Sequence, residues 1–179
     1  MFLRARSLVA RSREESGFGL IELLIAMTVM LVGVVAIFAM FESGIRQLTR
    51  ASNVTTAAAL ADSEMENYRA VKFDVIGMTQ AALDAADPSY TGDTAYRAGG
   101  TNQPNEAVTL GSSSYSPVQT LTGADGRSYR VDTYITWASV QVSGGTFSGR
   151  AVKQVTIAVS RDGDELARVT SSFDQSTGQ

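Results

Sequence analysis

A chain of 179 residues, 44% of them hydrophobic, has room for one apolar span and one small domain beyond it, but not for two domains. It contains no cysteine and no histidine, which excludes disulfides and Cys/His metal clusters and removes the commonest general base. The net charge of −3 argues against a basic surface for nucleic acid. Hydrophobic packing must therefore stabilise this protein.

An apolar run extends from residue 18 to residue 41, and Glu22 is its only charged residue. At about 1.5 Å per residue, a helix over this run is long enough to cross a hydrocarbon core of about 30 Å. The preceding flank is rich in arginine (Arg4, Arg6, Arg11 and Arg13), against Glu14 and Glu15. This bias predicts a cytoplasmic N-terminus and an exported C-terminal part.

A cleaved secretory signal is the first alternative for this segment. Such a signal has a shorter apolar region, followed by a cleavage site of small residues. Here the apolar run is long and continues into helix-forming sequence, and the better small residue, Gly17, stands in front of it. The pattern favours an anchor that is cut on its N-terminal side.

Glu22 requires a chemical reason, because a carboxylate at the centre of a membrane span costs about 2.5–3.5 kcal/mol, and less near the interface. One reason is position alone, with the side chain reaching toward solvated head groups. The other is a partner: a cut after Gly17 would give Phe18 a free α-amine, which is protonated at neutral pH. That ammonium attracts the carboxylate strongly in low dielectric, whether it comes from the same chain or from a neighbouring subunit.

The run G-F-G-L-I-E-L-L-I-A-M, residues 17–27, resembles the class III signal of type IV pilins and type II secretion pseudopilins. The resemblance implies that a prepilin peptidase cleaves after Gly17 and N-methylates Phe18, and that Glu22 pairs with the Phe18 amine during assembly. It also implies other pilins and the inner membrane as partners. From the mildly acidic composition and the missing motifs we expect no nucleic acid, cofactor or metal. Ala39 departs from the pattern, because many major pilins have a helix-breaking proline there.

The helix is predicted to continue beyond the membrane, through residues 42–70, where no proline occurs. Apolar residues recur there in steps of three and four, which predicts an amphipathic half that packs on a sheet. We expect one helix from residue 18 to about residue 70. The alternative is two helices broken near Gly44 or Asn53. The stripe comprises Ile45, Leu48, Ala51, Val54, Ala58, Ala61, Met65 and Tyr68.

The end of this helix resembles that of minor pilins of the PilV type and of the minor pseudopilin I of type II secretion. Those proteins have an alanine-rich run, an acidic-Met-Glu motif and an aromatic residue before a turn. Glu64, Met65, Glu66 and Phe73 match that pattern.

Residues 71–127 are predicted to form a variable loop region, rich in Gly, Ser, Thr, Asn and Ala. Residues 79–86 favour a short helix that ends before Pro88. Residues 92–116 have little periodicity, and a loop of this length is often functional. They form either a variable surface connection or a contact surface for another pilin or a ligand.

Residues 128–179 alternate between apolar and polar side chains, which predicts half-buried antiparallel strands. Gly144-Gly145 and Asp162-Gly163 predict the reversals between them. The predicted fold is α+β: a long N-terminal helix on a three-stranded antiparallel meander. We expect Trp137 to anchor the core. The helix–sheet packing residues are predicted to be Ile45, Leu48, Val54, Met65, Tyr68 and Trp137.

The sequence shows no signature of catalysis. It has no phosphate-binding loop and no nucleophile elbow, and Asp162 and Asp164 are too few for a calcium site and fit a turn. The sequence therefore predicts a minor pilin or a minor pseudopilin: first an inner-membrane protein with a cytoplasmic leader, residues 1–17, then a filament subunit. Three further alternatives are an adhesin that binds through residues 92–116, a DNA-uptake pilin, and an exported enzyme on an uncut anchor.

Overall fold

The computed structural model describes residues 19–100, 105–138 and 152–175. The chain forms two compact units, residues 1–47 and residues 48–179, and we call the second unit the head domain. Helix α1, Leu20–Arg69, has residues in both units. It is uninterrupted at Gly44 and Asn53, which rules out the two-helix alternative.

The described part of the first unit is helical from Leu20 onward, and its side chains are exposed. By length and composition, α1 could cross a membrane. Proline is absent from the helix, and each residue beyond the first turn can donate to the carbonyl four residues earlier. The backbone of such a helix is satisfied even where no water is present.

The head domain continues with three short helical turns and one sheet. A 3₁₀ turn covers Phe73–Val75, α2 covers Gln80–Asp84 and α3 covers Pro88–Thr91. Strands β1 (Val118–Thr122), β2 (Ser128–Trp137), β3 (Val152–Arg161) and β4 (Asp164–Asp174) follow. They form an antiparallel sheet in the order β1-β2-β3-β4.

The predicted α+β class is confirmed, but the predicted number of strands is wrong: the sheet has four strands, not three. The additional strand, β1, lies in the region predicted to be a loop. Its two large apolar residues, Val118 and Leu121, are an odd number of positions apart and so face opposite sides of the sheet. The period-two signal is therefore absent, and pairing with β2 makes this segment a strand.

Two predicted turns differ in their outcome. The β3–β4 turn has positive φ at both central residues, 54° at Asp162 and 89° at Gly163, as a two-residue type I′ hairpin requires. Gly144-Gly145 lies outside the described residues.

Pro88 does more than end the preceding helix: it opens α3, where Asp87 accepts hydrogen bonds from the Ser89 and Tyr90 N–H groups.

The core lies between α1 and one face of the sheet, which we call the inner face. On the helix it contains Ala57, Ala61, Met65 and Tyr68, all at most 1% exposed. On the two central strands the predicted inner-face residues are buried: Tyr129, Val131, Thr133, Ile135, Val155, Ile157 and Val159. The prediction of half-buried strands is wrong there, because the outer-face residues Asp132, Tyr134, Thr156 and Ala158 are buried as well.

Candidate assembly interface

Glu22 lies in the first turn of α1, and its side chain is exposed. Its backbone N–H donates to the Gly19 carbonyl at 2.9 Å. The first N–H groups of a helix have no partner within the helix, and their partial positive charge favours an acidic side chain nearby. Gly17 and Phe18 lie outside the described residues, so cleavage, methylation and the pairing of Phe18 with Glu22 stay predictions.

The apolar segment of α1, residues 20–41, exposes its large hydrophobic side chains on all sides. Their exposed fractions run from 40% at Val34 to 77% at Leu20. An exposed apolar surface of this extent requires lipid or other protein to cover it. The segment can therefore serve as a membrane span or as a surface that packs against similar helices.

The predicted helix–sheet packing residues divide into two groups. Met65 and Tyr68 are each 1% exposed, and Trp137 is half-buried with its ring 6.3 Å from that of Phe73. Ile45 and Leu48, by contrast, are 63% and 72% exposed.

The predicted stripe must therefore be corrected at its N-terminal end, where Val54 is also 39% exposed. Four-residue steps backward from Ala61 lead to Ala57 and then to Asn53, not to Ala58 and Val54. The face of α1 toward the sheet consequently ends in a polar residue.

Asn53 receives two arginine side chains from two different turns of the sheet. Arg127 Nη1 in the β1–β2 turn donates to Asn53 Oδ1 at 2.9 Å, and Arg161 Nη1 at the end of β3 donates to it at 3.4 Å. Sequence reasoning treated Asn53 only as a weak point in the helix. In the folded head domain the same residue links α1 to both turns.

Lys153 on β3 holds the chain that follows α1. It is 2% exposed, and its Nζ donates to the carbonyls of Phe73 at 2.6 Å and Ile76 at 2.7 Å. Nζ also lies 4.3 Å from the centroid of the Phe73 ring. Burial lowers the pKa of Lys153. Its position is in phase with Val155 and Ile157, so the period-two pattern could have identified it as a lysine on the inner face.

Two arginines hold residues 87–97 across the other face of the sheet, which we call the outer face. Arg130 on β2 lies 2.8 Å from both Asp87 and Asp132. Hydrogen bonds from Arg130 hold the pKa of Asp87 below its usual range, whereas burial raises the pKa of Asp132.

Arg168 on β4 makes the second of these attachments. It lies 2.6 Å from Asp93 and 2.5 Å from Glu165. Burial opposes ionisation of Asp93, but the hydrogen bonds from Arg168 and from the Ala95 N–H, together with the charge of Arg168, outweigh it and lower the pKa of this carboxyl. Both arginines are thus engaged in attaching residues 87–97 to the sheet.

Between the two arginines, Tyr90 closes a gap in the hydrogen bonding along the edge of β2. β1 pairs with β2 only up to Asp132, and the chain at Val108 and Glu106 takes over beyond Ile135. Between these two pairings, the Tyr90 hydroxyl donates to the Thr133 carbonyl of β2 at 2.7 Å. The rings of Tyr90 and Tyr134 stack with their centroids 4.5 Å apart.

Tyr68, Tyr90 and Tyr134 form a set that we call the buried tyrosines. Burial raises the pKa of each well above its ordinary value of 10.0.

Across residues 19–100, 105–138 and 152–175, no group of three or more acidic, His or Cys side chains could hold a metal ion. The head domain thus uses its polar residues mainly to fasten its own segments.

The comparisons with known proteins bear on the N-terminal end of the chain. The prokaryotic N-terminal methylation motif, a protein family, matches residues 12–38. This is the signal of type IV pilin-type prepilins, and here it continues into the exposed apolar segment with Glu22 in the first helical turn. No curated protein and no solved structure matches the chain.

Proposed function

We propose that this protein is a structural subunit of a type IV pilus-like filament. One observation carries the proposal: the methylation motif at residues 12–38 continues into a helix whose apolar segment is exposed. A prepilin peptidase would cleave after Gly17 and methylate the new amine of Phe18. The precursor would wait in the inner membrane, with its N-terminus cytoplasmic and its head domain exported.

Assembly would then move the apolar segment from lipid into contact with the same segment of other subunits. Packing against protein keeps this surface away from water. An ammonium on Phe18 and the carboxylate of Glu22 would form a charge-assisted pair in that apolar setting, so that each lowers the cost of burying the other. The pairing would fix the axial position of each incoming subunit.

Within this class, we propose a minor pilin of a type IV pilus, and the alternative is a minor pseudopilin of type II secretion. The Glu64–Met65–Glu66 motif and Phe73 support both assignments by resemblance. In the head domain, Met65 and Phe73 are buried and Glu66 is exposed beside Arg69. The finished subunit would lie in an extracellular or periplasmic filament.

The alternative functions have less support. A DNA receptor needs clustered basic groups that are open to phosphate. In the described part of the sheet and its turns, Arg127, Arg130, Arg161 and Arg168 each lie beside an acidic side chain. An adhesin that uses residues 92–116 remains a hypothesis, although Ala107 and Val108 of that stretch are at most 5% exposed and belong to the core. An exported enzyme would need a site of convergent polar groups.

The mass of the N-terminal peptide from envelope fractions tests the proposal. We expect a peptide that begins at Phe18 and carries one additional methyl group. An intact leader in cells with an active prepilin peptidase would contradict the proposal, and the protein would then be a plain anchored protein.

Replacing Glu22 tests its role in assembly. Loss of a charge-assisted pair worth about 1.5 kcal/mol or more should reduce incorporation of Glu22→Ala roughly tenfold or more, while cleavage continues. Glu42→Ala is the matched control, because Glu42 is an exposed acid of the same helix that pairs with Arg46 at 3.2 Å. Normal incorporation of Glu22→Ala would disprove the pairing.

A further inference from the structure

The two ends of the sheet differ from its centre in how their backbone groups are used. The edge of β2 beyond β1 is covered by residues 106–108 and by the Tyr90 hydroxyl. In contrast, among the described residues no strand pairs with the outer edge of β1 or of β4. Half the backbone groups of an edge strand point away from the sheet, which makes the edge a template for another strand.

The charge pattern of β4 leaves one half of its edge open. Proteins commonly protect an exposed edge with charged side chains or proline. Asp164, Glu165 and Arg168 protect the half next to the β3–β4 turn, but residues 169–173, VTSSF, contain no charge and no proline. Strand β1, VQTLT, is likewise five residues without charge or proline. The two stretches are therefore matched in length and in polarity, although the Val118 carbonyl at the outer edge of β1 also accepts a hydrogen bond from the Ser116 hydroxyl at 3.0 Å.

The order of the strands also matches the two edges in direction. In an antiparallel sheet of four strands, β4 runs opposite to β1. A second copy, placed beside the first in the same orientation, therefore presents its β1 antiparallel to β4. Subunits in one membrane or one filament share an orientation, so this arrangement is compatible with the proposed function, on which the inference rests.

We propose that residues 169–172 on β4 of one copy pair with residues 118–121 on β1 of a second copy, which makes one sheet across two head domains. Inner-face residues must meet inner-face residues, which limits the register. Val169 and Leu121 both pack against the core from the inner face. Placing them opposite each other also brings Thr170 opposite Thr120 on the outer face, and both kinds of cross-strand pair are favourable.

The contact is heterologous, because two different edges of the chain meet in it. Each copy keeps one open edge after pairing, so the association can continue from subunit to subunit, as a filament requires. A two-fold pairing of β4 with β4 would instead be isologous, and it would close after two copies and could not continue along a filament.

Disulfide trapping in the full-length protein tests the proposal directly, since the chain has no cysteine of its own. Directly opposite residues in an antiparallel pair have Cα atoms about 4.5–5.5 Å apart, within the range that a disulfide can bridge. The chain with both Thr120→Cys and Thr170→Cys should form a ladder of cross-linked species under mild oxidation. Mixing the two single variants should give dimers only, and each single variant alone should give none.

The matched control is Gln119→Cys combined with Thr170→Cys, which places the two thiols on opposite faces of the sheet and should give no ladder. Sedimentation of sheared filaments reports assembly separately from cross-linking. A ladder supports the paired edges, whether or not filaments sediment. Sedimenting filaments without the ladder would overturn the sheet contact and leave the proposed function intact. Dimers of the Thr170→Cys variant alone would overturn it in favour of two-fold pairing.

Discussion

Replacing Lys153 with methionine removes an ammonium while it keeps most of the volume of the aliphatic stem. The Phe73 carbonyl retains one donor, the Ile76 N–H at 3.2 Å, but the Ile76 carbonyl loses the Lys153 Nζ at 2.7 Å. A buried acceptor left without a donor costs about 1–3 kcal/mol. Two other effects cancel: the variant loses the attraction of the ammonium to both carbonyls, but it also no longer pays the cost of burying that ammonium. The unsatisfied Ile76 carbonyl remains, so we expect Lys153→Met to lower the free energy of unfolding by about 1–3 kcal/mol.

Urea unfolding of the full-length protein in nonionic detergent measures this change. Trp137 is the only tryptophan, and its ring centroid lies 5.2 Å from Lys153 Nζ, so its fluorescence reports on this part of the fold. The midpoint should fall with an unchanged slope. The exposed Lys72→Met is the control and should change stability by less than about 0.5 kcal/mol. A Lys153→Met protein as stable as the original would refute the reasoning, because burial of the ammonium would then outweigh its contacts.

The pH dependence of stability, compared between the original protein and Lys153→Met, tests independently whether the pKa of Lys153 is lowered. Burial lowers the pKa of Lys153 from 10.5, so between the lowered value and 10.5 the unfolded chain holds more protons than the folded chain. Stability therefore rises with pH across that window. The free energy of unfolding of the original protein should rise through this pH window, and that of Lys153→Met should not rise for this reason. The difference in stability between the two proteins should therefore grow with pH. A deficit that shrinks would contradict the assigned direction.

Three further predictions test the head domain. A Cβ on Gly123 would come within 2.5 Å of Thr56 Cγ2, so Gly123→Ala should lower stability by about 1–3 kcal/mol, whereas Gly111→Ala meets no atom within 4 Å and should be near neutral. In the same unfolding assay, Tyr90→Phe should lower stability by about 1–3 kcal/mol, because the buried Thr133 carbonyl loses its donor, whereas the control Tyr96→Phe should change stability little. Above pH 10 the buried tyrosines ionise in the unfolded chain but stay protonated in the folded head domain, so stability should fall as the pH rises. The share of the tyrosinate absorbance that these three residues contribute should appear only as the head domain unfolds, and ionisation of all six tyrosines in the folded protein would contradict this.

Much of the fold could be predicted because local patterns and tertiary structure agree. The apolar run and the stripe that follows it predict one helix, and alternation on β2 and β3 predicts their inner face. β1 could not be predicted, since Val118 and Leu121 face opposite sides of the sheet and only pairing with β2 defines the strand. Pairing between distant segments leaves little trace in five residues of sequence.

In the candidate site, too, residues with a local sequence signal could be recognised, and residues whose roles depend on distant contacts could not. Glu22 was recognised because a lone acid in an apolar run is costly, and its cost does not depend on the tertiary structure. The roles of Asn53 and Lys153 depend on turns and carbonyls far away in the sequence. The period-two pattern could place Lys153 on the inner face, but it could not identify the carbonyls that Lys153 binds. Ile45 and Leu48 show the opposite error: apolar spacing predicts which face they share, but not where the sheet that covers that face ends.

The alanine content of α1 has a consequence for the order in which the protein folds. Ala57 and Ala61 belong to the same core cluster as residues of β2 and β3, which begin only at Ser128, so the helix is synthesised well before most of the sheet that covers it. Non-local pairing of this kind makes folding slow. Until the sheet has formed, a wide apolar face on the helix would expose the nascent chain to aggregation. Methyl side chains expose little apolar area in that interval. Larger residues at these two positions would endanger the nascent chain as well as overfill the core.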